Sequence, residues 1–222
     1  YESRVVKTTR TILDLFDKYK VNATFFTIGY IAEKHPELIE EVVSRGHEIA
    51  SHGYSHPNVK KMDRQDFEAD LVKSVKTLEK ISGEKVMGYR APYFSISKEN
   101  LWAFEVMRKY LQYDSSVFPV KFHYGLSDAP RHIYRMSNKD PLKEDVDSNF
   151  IEIPMTTLRL PFVGNFPVGG GHYMMFLPLN VLKAGIKKFN EAGHPAIFMY
   201  IHMIWIHQSL VLLIRLGITI GD

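Results

Sequence analysis

The most constraining feature of the chain is a repeated alternation of amphipathic helical segments with short apolar runs. Apolar residues recur at three- and four-residue steps over 5–19, and the apolar run 23–28 then ends at Gly29. The pattern repeats with a predicted helix over 36–45 and a predicted strand over 47–51. Strands that alternate with helices predict an α/β fold built on a parallel sheet, either open or closed into a barrel.

The same alternation continues towards the carboxyl end of the sequence. Asp63 and Ser97 are predicted helix N-caps, because short polar side chains can accept hydrogen bonds from the first helical turn. Further strands are expected over 85–89, 113–118, 150–155 and 196–201, with a last helix over 179–192. The polar stretch 119–149 is too long for a bare connector and is expected to carry local structure or cover a site. The glycines 169–171 are interpreted as a bend or a close backbone approach.

Composition narrows the class of protein. A length of 222 residues is ordinary for one domain, here 1–222. The absence of cysteine excludes disulfide scaffolds, thiol nucleophiles and cysteine-ligated metal sites. A net charge of +3 without a basic run argues against a nucleic-acid partner. No signal peptide is visible at Tyr1, and the cytoplasm and export from a bacterium or archaeon both stay open.

One stretch raises the question of a membrane span. Residues 196–214 are nineteen positions without a formal charge, which is close to the length of a spanning helix. His202, His207 and Gln208 interrupt the middle of this stretch. A buried strand followed by a second apolar element is therefore the preferred interpretation, and membrane association is not expected.

Polar side chains follow three of the predicted strands. His52 and His56 come after 47–51, Arg90 follows the next strand, and His202 follows the late strand. The carboxyl ends of parallel strands form one face of such folds, and that face carries the active site. We therefore expect these residues to converge.

Each of these residues has a functional and a structural interpretation. His52 and His56 can bind one divalent ion, but ten histidines give roughly 0.4 such pairs by chance, and both could instead bond backbone in a loop. Arg90 could hold a carboxylate bidentately or form a surface ion pair. His202 is either a general acid or base or a core histidine. Asp114, near a strand boundary, is more often a turn or cap residue than a catalytic one.

Taken in order, three segments resemble the polysaccharide deacetylase family, also called the NodB-homology or carbohydrate esterase 4 family. They are Asn-Ala-Thr-Phe-Phe at 22–26, Gly-His-Glu-Ile-Ala-Ser-His-Gly-Tyr-Ser-His at 46–56 and Arg-Ala-Pro-Tyr at 90–93. The segments 113–116 and 167–171, with the strand ending at His202, resemble a subgroup found with bacterial exopolysaccharide-synthesis systems. The resemblance covers nearly the whole chain up to His202.

The resemblance implies a fold and a set of roles. The fold is a distorted (β/α)7 barrel. His52 and His56 fall on metal-binding histidines, Arg90 on the arginine that orients a catalytic-base aspartate, and His202 on the general acid. Tyr93 falls on the position whose backbone N–H stabilises the oxyanion, and we group Asp114 with it at the substrate end. The implied cofactor is a divalent metal, with zinc expected.

Two departures from the family pattern stand out. The first family motif, an Asp-rich strand end that supplies the base and the third metal ligand, is expected upstream of Tyr1. The first strand is therefore expected to be missing and the domain to be incomplete at its amino end, since Asp14 and Asp17 lie within the predicted helix. The subgroup's His-Pro-Trp-Glu is replaced after His202 by Met-Ile-Trp-Ile-His and an apolar tail.

The leading hypothesis is a metal-dependent N-deacetylase acting on N-acetylated sugars of a polysaccharide or glycan intermediate. A non-catalytic carbohydrate-binding or scaffolding protein on the same fold is one alternative. A metal-independent hydrolase of small amides is the other. The expected partner is an N-acetylated carbohydrate, and the sequence does not define an oligomeric state.

Overall fold

The computed structural model describes residues 3–121, 125–160, 162, 164–170, 176–201 and 211–215. Within these ranges the helices are α1 (Arg4–Tyr19), α2 (Gly29–Lys34), α3 (Pro36–Ser44), α4 (Arg64–Ser82), α5 (Trp102–Met107) and α6 (Leu179–Glu191). The first six strands are β1 (Ala23–Thr27), β2 (Glu48–Ser51), β3 (Gly88–Tyr89), β4 (Tyr113–Asp114), β5 (Tyr134–Arg135) and β6 (Ile151–Glu152). The remaining strands are β7 (Thr157–Leu160), β8 (Gly164–Pro167), β9 (Ile197–Ile201) and β10 (Val211–Arg215).

Eight strands form one sheet in the order β5-β6-β4-β3-β2-β1-β10-β9. The pairs β1–β2, β2–β3, β3–β4 and β4–β6 are parallel. Strand β10 lies between β1 and β9 and is antiparallel to both. Strands β7 and β8 form a separate antiparallel hairpin. The parallel centre of the sheet confirms the α/β class predicted from the alternation of helices and strands.

The outer edge of β9 is joined to the chain that leaves β6. The Ile197 N–H donates to Thr156 Oγ1 at 2.6 Å, and the Met199 N–H donates to the Gly169 carbonyl at 2.7 Å. A side chain on Gly169 would place Cβ 2.3 Å from the Ile197 carbonyl oxygen, so only glycine fits this contact. The sheet therefore curls towards closure, consistent with the expected distorted barrel, and the close backbone approach predicted for the glycine run is confirmed at Gly169.

Local sequence explains why the helices pack as they do. Helix α1 buries Val5, Leu13 and Phe16 on one stripe. Helix α4 begins after Asp63, whose Oδ1 accepts from the Asp66 N–H at 2.8 Å, and ends at Gly83 with φ of 71°. Its buried apolar side chains, Phe67, Leu71, Val75 and Leu78, belong to the main hydrophobic core. Each large apolar side chain buried there stabilises the fold by about 1.5–3 kcal/mol.

Several elements are shorter than predicted, and others were not predicted at all. The helix predicted to begin after Ser97 is only α5, because the Ser97 N–H is bound by Asn100 Oδ1 at 2.7 Å in a local turn. The predicted strands 85–89, 113–118 and 150–155 shrink to the two-residue strands β3, β4 and β6. Helix α2 and the β7–β8 hairpin were not predicted.

The two uncertain stretches of the sequence contain regular structure. Within 119–149, β5 pairs with β6, and Met136 forms an isolated bridge with Glu144, so this stretch carries local structure as expected. The apolar stretch 196–214 contains β9 and part of β10. Across the described portion of the chain, no helix has both the length and the apolar character needed to cross a membrane.

Candidate functional site

His52 lies immediately after β2 and is 3% exposed. Its Nδ1 is 2.7 Å from the carbonyl oxygen of Arg90, which follows the neighbouring strand β3. A carbonyl oxygen can only accept, so Nδ1 carries the proton and Nε2 presents a lone pair. Metal-binding histidines commonly donate their second ring N–H to a carbonyl in this way.

His56 lies beside His52. The two ring centroids are 4.9 Å apart and the ring planes meet at 68°. Burial, with a smaller effect of His56, lowers the pKa of His52 to about 3. His52 is therefore neutral across the physiological range, which is the protonation state that a metal requires of an imidazole ligand.

The loop between the two histidines is held by Asp70 on α4. One carboxylate oxygen of Asp70 accepts from the Tyr54 N–H at 2.8 Å. The other accepts from Ser55 Oγ at 3.1 Å and from the Ser55 N–H at 3.3 Å. Gly53 has a φ of 76°, and a Cβ there would lie 2.9 Å from Pro57 Cδ. The loop conformation thus depends on a carboxylate and on a glycine, neither of which the sequence analysis singled out.

Arg90 is fully buried, which excludes the alternative of a surface ion pair. Its guanidinium carbon lies 4.6 Å from the ring centroid of Phe26 and 5.5 Å from that of Phe94. Nη2 donates to Ser115 Oγ. Nε and Nη1 are buried and have no hydrogen-bond partner in the described ranges. Two unsatisfied donors on a buried cation are the pattern expected where a carboxylate is accommodated.

Two buried carboxyl groups, Asp114 and Glu152, lie near Arg90. Asp114 accepts from the Ser116 N–H and Oγ, both at 2.7 Å, and Glu152 Oε1 accepts from the Val117 N–H at 3.0 Å. Burial raises the pKa of Asp114. Burial and the neighbouring Asp114 charge raise the pKa of Glu152 well above its usual range. Burial therefore favours the neutral form of both carboxyl groups, and the charge of Arg90 acts against this shift.

Arg90 stays charged in this setting. Burial lowers its pKa to about 10, while Asp114 and Glu152 act in the opposite direction. A guanidinium with this pKa is protonated at neutral pH. Asp114 accepts from the backbone N–H two residues on, which fits the turn role considered for it, and its side chain is fully buried rather than at an open substrate end.

Tyr93 forms the exposed side of the site. Its side chain is 58% exposed, and its ring centroid lies 4.7 Å from that of His56. The backbone at Tyr93 has a φ of 60°, a left-handed conformation that is uncommon outside glycine. Strained backbone of this kind clusters at functional sites.

The structure thus brings together five of the six predicted site residues, His52, His56, Arg90, Tyr93 and Asp114. His202 lies outside the described residues, and its role stays a prediction. Nowhere in the described ranges do three or more His, Cys, Asp or Glu side chains cluster so as to hold a metal ion. Glu152 was missed because a single glutamate in a short apolar strand gives no signal that its carboxyl is buried.

His47 shows how a structural histidine differs from His52. Its Nδ1 accepts from the Ala23 N–H at 3.2 Å, and its ring lies within 5.6 Å of the ring centroids of Phe16 and Phe25. Burial lowers its pKa. It lies at the opposite end of β2 from His52 and supports the packing of α1 on the sheet.

Comparison with known proteins links these motifs to glycan-modifying enzymes. Residues 2–108 match the family model described as polysaccharide deacetylase, and residues 115–212 match one described as a domain of unknown function, DUF3473. The chain is 33% identical over 150 residues to a Helicobacter pylori protein named peptidoglycan deacetylase, covering 64% of this chain and 50% of that protein. It is 36% identical over 98 residues to a Bacillus cereus peptidoglycan-N-acetylglucosamine deacetylase, covering 44% and 36%. The matches therefore span half or less of these relatives.

A solved structure supports the fold. The crystal structure of a candidate polysaccharide deacetylase from Mycobacterium smegmatis matches with a TM-score of 0.53 at 22% identity, covering 83% of this chain and 57% of that one. Both matched regions of the present chain contribute strands to the eight-stranded sheet. The polysaccharide deacetylase match over residues 2–108 thus contains His52, His56 and Arg90.

Proposed function

We propose that the protein is a metal-dependent N-deacetylase that hydrolyses the acetamide of an N-acetylated sugar in a polysaccharide or glycan intermediate. The observation that carries the proposal is the hydrogen bond from His52 Nδ1 to the Arg90 carbonyl. It joins two of the family's motifs and fixes the tautomer in which Nε2 can bind a metal.

The residues present fit a metal of the zinc type. His52 and His56 would hold it, and a third ligand would come from outside the described residues, because catalytic zinc sites use three protein ligands. When bound, such an ion polarises a carbonyl group and makes water a stronger acid. The low pKa of His52 favours this role because no proton has to be displaced from Nε2 at neutral pH.

The chain's own groups supply the remaining chemistry. The Tyr93 N–H donates to the oxygen of the acetamide carbonyl as negative charge develops there. Arg90 Nε and Nη1 orient a carboxylate base from outside the described residues. His202 gives a proton to the departing nitrogen.

The proposed reaction is a hydrolysis that consumes water and needs no oxidant or reductant. The oxygen of water bonds to the carbonyl carbon while the base takes its proton, and the carbon–nitrogen bond then breaks. The proton from His202 goes to the nitrogen. The products are acetate and a sugar with a free amine.

The names of the relatives support the proposed substrate class. The proteins matched are named for peptidoglycan and chitooligosaccharides, both of which carry N-acetylated amino sugars. A polymeric substrate also suits the exposed position of Tyr93, since a long chain needs an open surface rather than a closed cavity.

Acetate release from chitohexaose and from peptidoglycan by the intact protein tests this function. Activity should require a divalent metal, fall at least roughly 100-fold in His52→Ala, and persist in His35→Ala, whose histidine lies between α2 and α3. Full metal-independent activity in His52→Ala, or activity on a ureide but not on acetylated sugars, would favour the small-amide hydrolase. Saturable glycan binding without acetate release would favour the non-catalytic alternative.

A further inference from the structure

A cleft of about 1110 Å³ opens between Lys121, the 127–132 segment, the β7–β8 hairpin and the end of α6. None of the residues of the His52 site lines it. Its basic and imidazole side chains are Lys121, Arg131, Arg159, Lys188, His132 and His194. We call this the basic cleft.

The cations of the basic cleft are poorly neutralised by the described chain. Lys121, Arg159 and Lys188 form no ion pair with an acid in the described ranges. Asp128 is the one carboxylate among the described lining residues, and it is bonded by Lys98 and by Ser127 Oγ. The Lys98 bond, with a smaller effect of Lys121, lowers the pKa of Asp128. The surface therefore favours an external anion.

Two arginines are held close together in the cleft. Arg131 Nη1 donates to the Thr157 carbonyl of β7 at 3.1 Å, which positions its guanidinium beside the strand that carries Arg159. Burial and the charge of Arg159 lower the pKa of Arg131. A bound anion would reduce the electrostatic repulsion between these two cations. Guanidinium groups also match carboxylates in hydrogen-bond geometry.

The cleft also offers an aromatic ring. Phe162 lies between β7 and β8, lines the cleft and is completely exposed. Its φ of 64° is unusual for a non-glycine residue. A single exposed apolar side chain is common on protein surfaces, but an aromatic face beside several cations can pack against the C–H face of a sugar ring. An inorganic anion such as phosphate would make no favourable packing contact with this ring.

We propose that the basic cleft binds the carboxylate groups of an acidic polysaccharide. Four cations meet the acid groups, and Phe162 packs against a sugar ring. The preference for an anion rests on the charges alone, whereas the assignment to a glycan rests also on the proposed function. The cleft would then be a second glycan site, separate from the His52 site.

Calorimetric titration of the intact protein with hexameric oligogalacturonate tests the proposal. Binding should weaken with added salt, and the double change Arg159→Glu/Lys188→Glu should reduce affinity at least tenfold. Lys76→Glu/Lys80→Glu on α4 makes the same charge change elsewhere and should have little effect. All four side chains are exposed, so the folded state should tolerate these changes. Phe162→Ala should weaken oligogalacturonate binding several-fold and leave phosphate binding unchanged.

Three outcomes would overturn the proposal. The first is equal oligogalacturonate affinity in the two double variants, and the second is phosphate binding as tight as oligogalacturonate binding. The third is a DNA oligonucleotide that binds as tightly as oligogalacturonate and loses the same affinity in Arg159→Glu/Lys188→Glu. The proposed function is tested separately. His52→Ala should abolish acetate release and still bind oligogalacturonate, whereas Arg159→Glu/Lys188→Glu should still release acetate from neutral chitohexaose.

Discussion

The Nδ1–H group of His52 donates to the carbonyl oxygen of Arg90 at 2.7 Å, across a sequence separation of 38 residues. The contact forms because β2 and β3 are parallel neighbours, with Ser51 opposite Tyr89, so the residues that follow both strands meet. One hydrogen bond thereby couples the orientation of a candidate metal ligand to the backbone that carries a buried guanidinium. A change to either motif is expected to disturb the other.

Asp70 should stabilise the loop between the histidines. Asp70→Ala removes the acceptor of three hydrogen bonds and should lower the free energy of unfolding by about 1–3 kcal/mol, as measured by urea denaturation. Zinc affinity should also fall, because His56 loses its fixed position. Asp66→Ala, an exposed change on the same helix, is the control. Equal stability of the two variants would rule out this role for Asp70.

Gly53 and Gly83 offer a matched pair for backbone strain. Both have positive φ, at 76° and 71°, but a Cβ at Gly53 would lie 2.9 Å from Pro57 Cδ whereas a Cβ at Gly83 has open space. Gly83→Ala should cost roughly 1–2 kcal/mol for the left-handed conformation alone. Gly53→Ala should cost more and should also weaken zinc binding. Thermal denaturation compares the two, and equal losses would show that the Pro57 contact is easily relieved.

Glu152 should make the free energy of unfolding fall as pH rises above about 5. Its pKa is raised in the folded state, so its contribution is fully present below the unfolded pKa and is lost as pH rises towards the folded pKa. The free energy of unfolding of the native protein should therefore fall by up to about 1.4 kcal/mol per pH unit relative to Glu152→Gln. Urea denaturation from about pH 5 to 8 measures this difference, with the exposed Glu84→Gln as control. Parallel curves for the native protein and Glu152→Gln would contradict the raised pKa of Glu152.

His202→Gln should separate an acid from a core histidine. If His202 protonates the leaving amine, kcat should fall roughly 10²- to 10⁴-fold while zinc affinity stays unchanged. His207→Gln is the control in the same segment. Loss of stability with retained turnover would instead place His202 in the core.

Periodicity predicted most long elements because their burial follows one stripe. Helices α1 and α4 lie where the three- and four-residue spacing placed them, and α6 ends one residue before its predicted limit. The short elements were not predictable in the same way. Strands β3, β4 and β6 have two residues each, so their length depends on neighbouring strands rather than on their own sequence.

The site was predicted unevenly for a similar reason. Histidines and an arginine after strands carry a local signal, and the sheet brings them together. Asp70 and Glu152 carry none, because one is a polar residue on an amphipathic helix and the other a single acid in an apolar strand. Only the three-dimensional contacts to Tyr54 and Asp114 give these two carboxyl groups a role.

Titration of zinc into the metal-stripped intact protein measures whether His52 and His56 bind a metal. We expect one zinc per chain, with affinity reduced at least roughly tenfold in His52→Ala and in His56→Ala and retained in His35→Ala. His56 is less buried than His52, so His56→Ala guards against a loss that reflects unfolding. Equal zinc affinity in all four proteins would contradict the assignment of these two histidines as metal ligands.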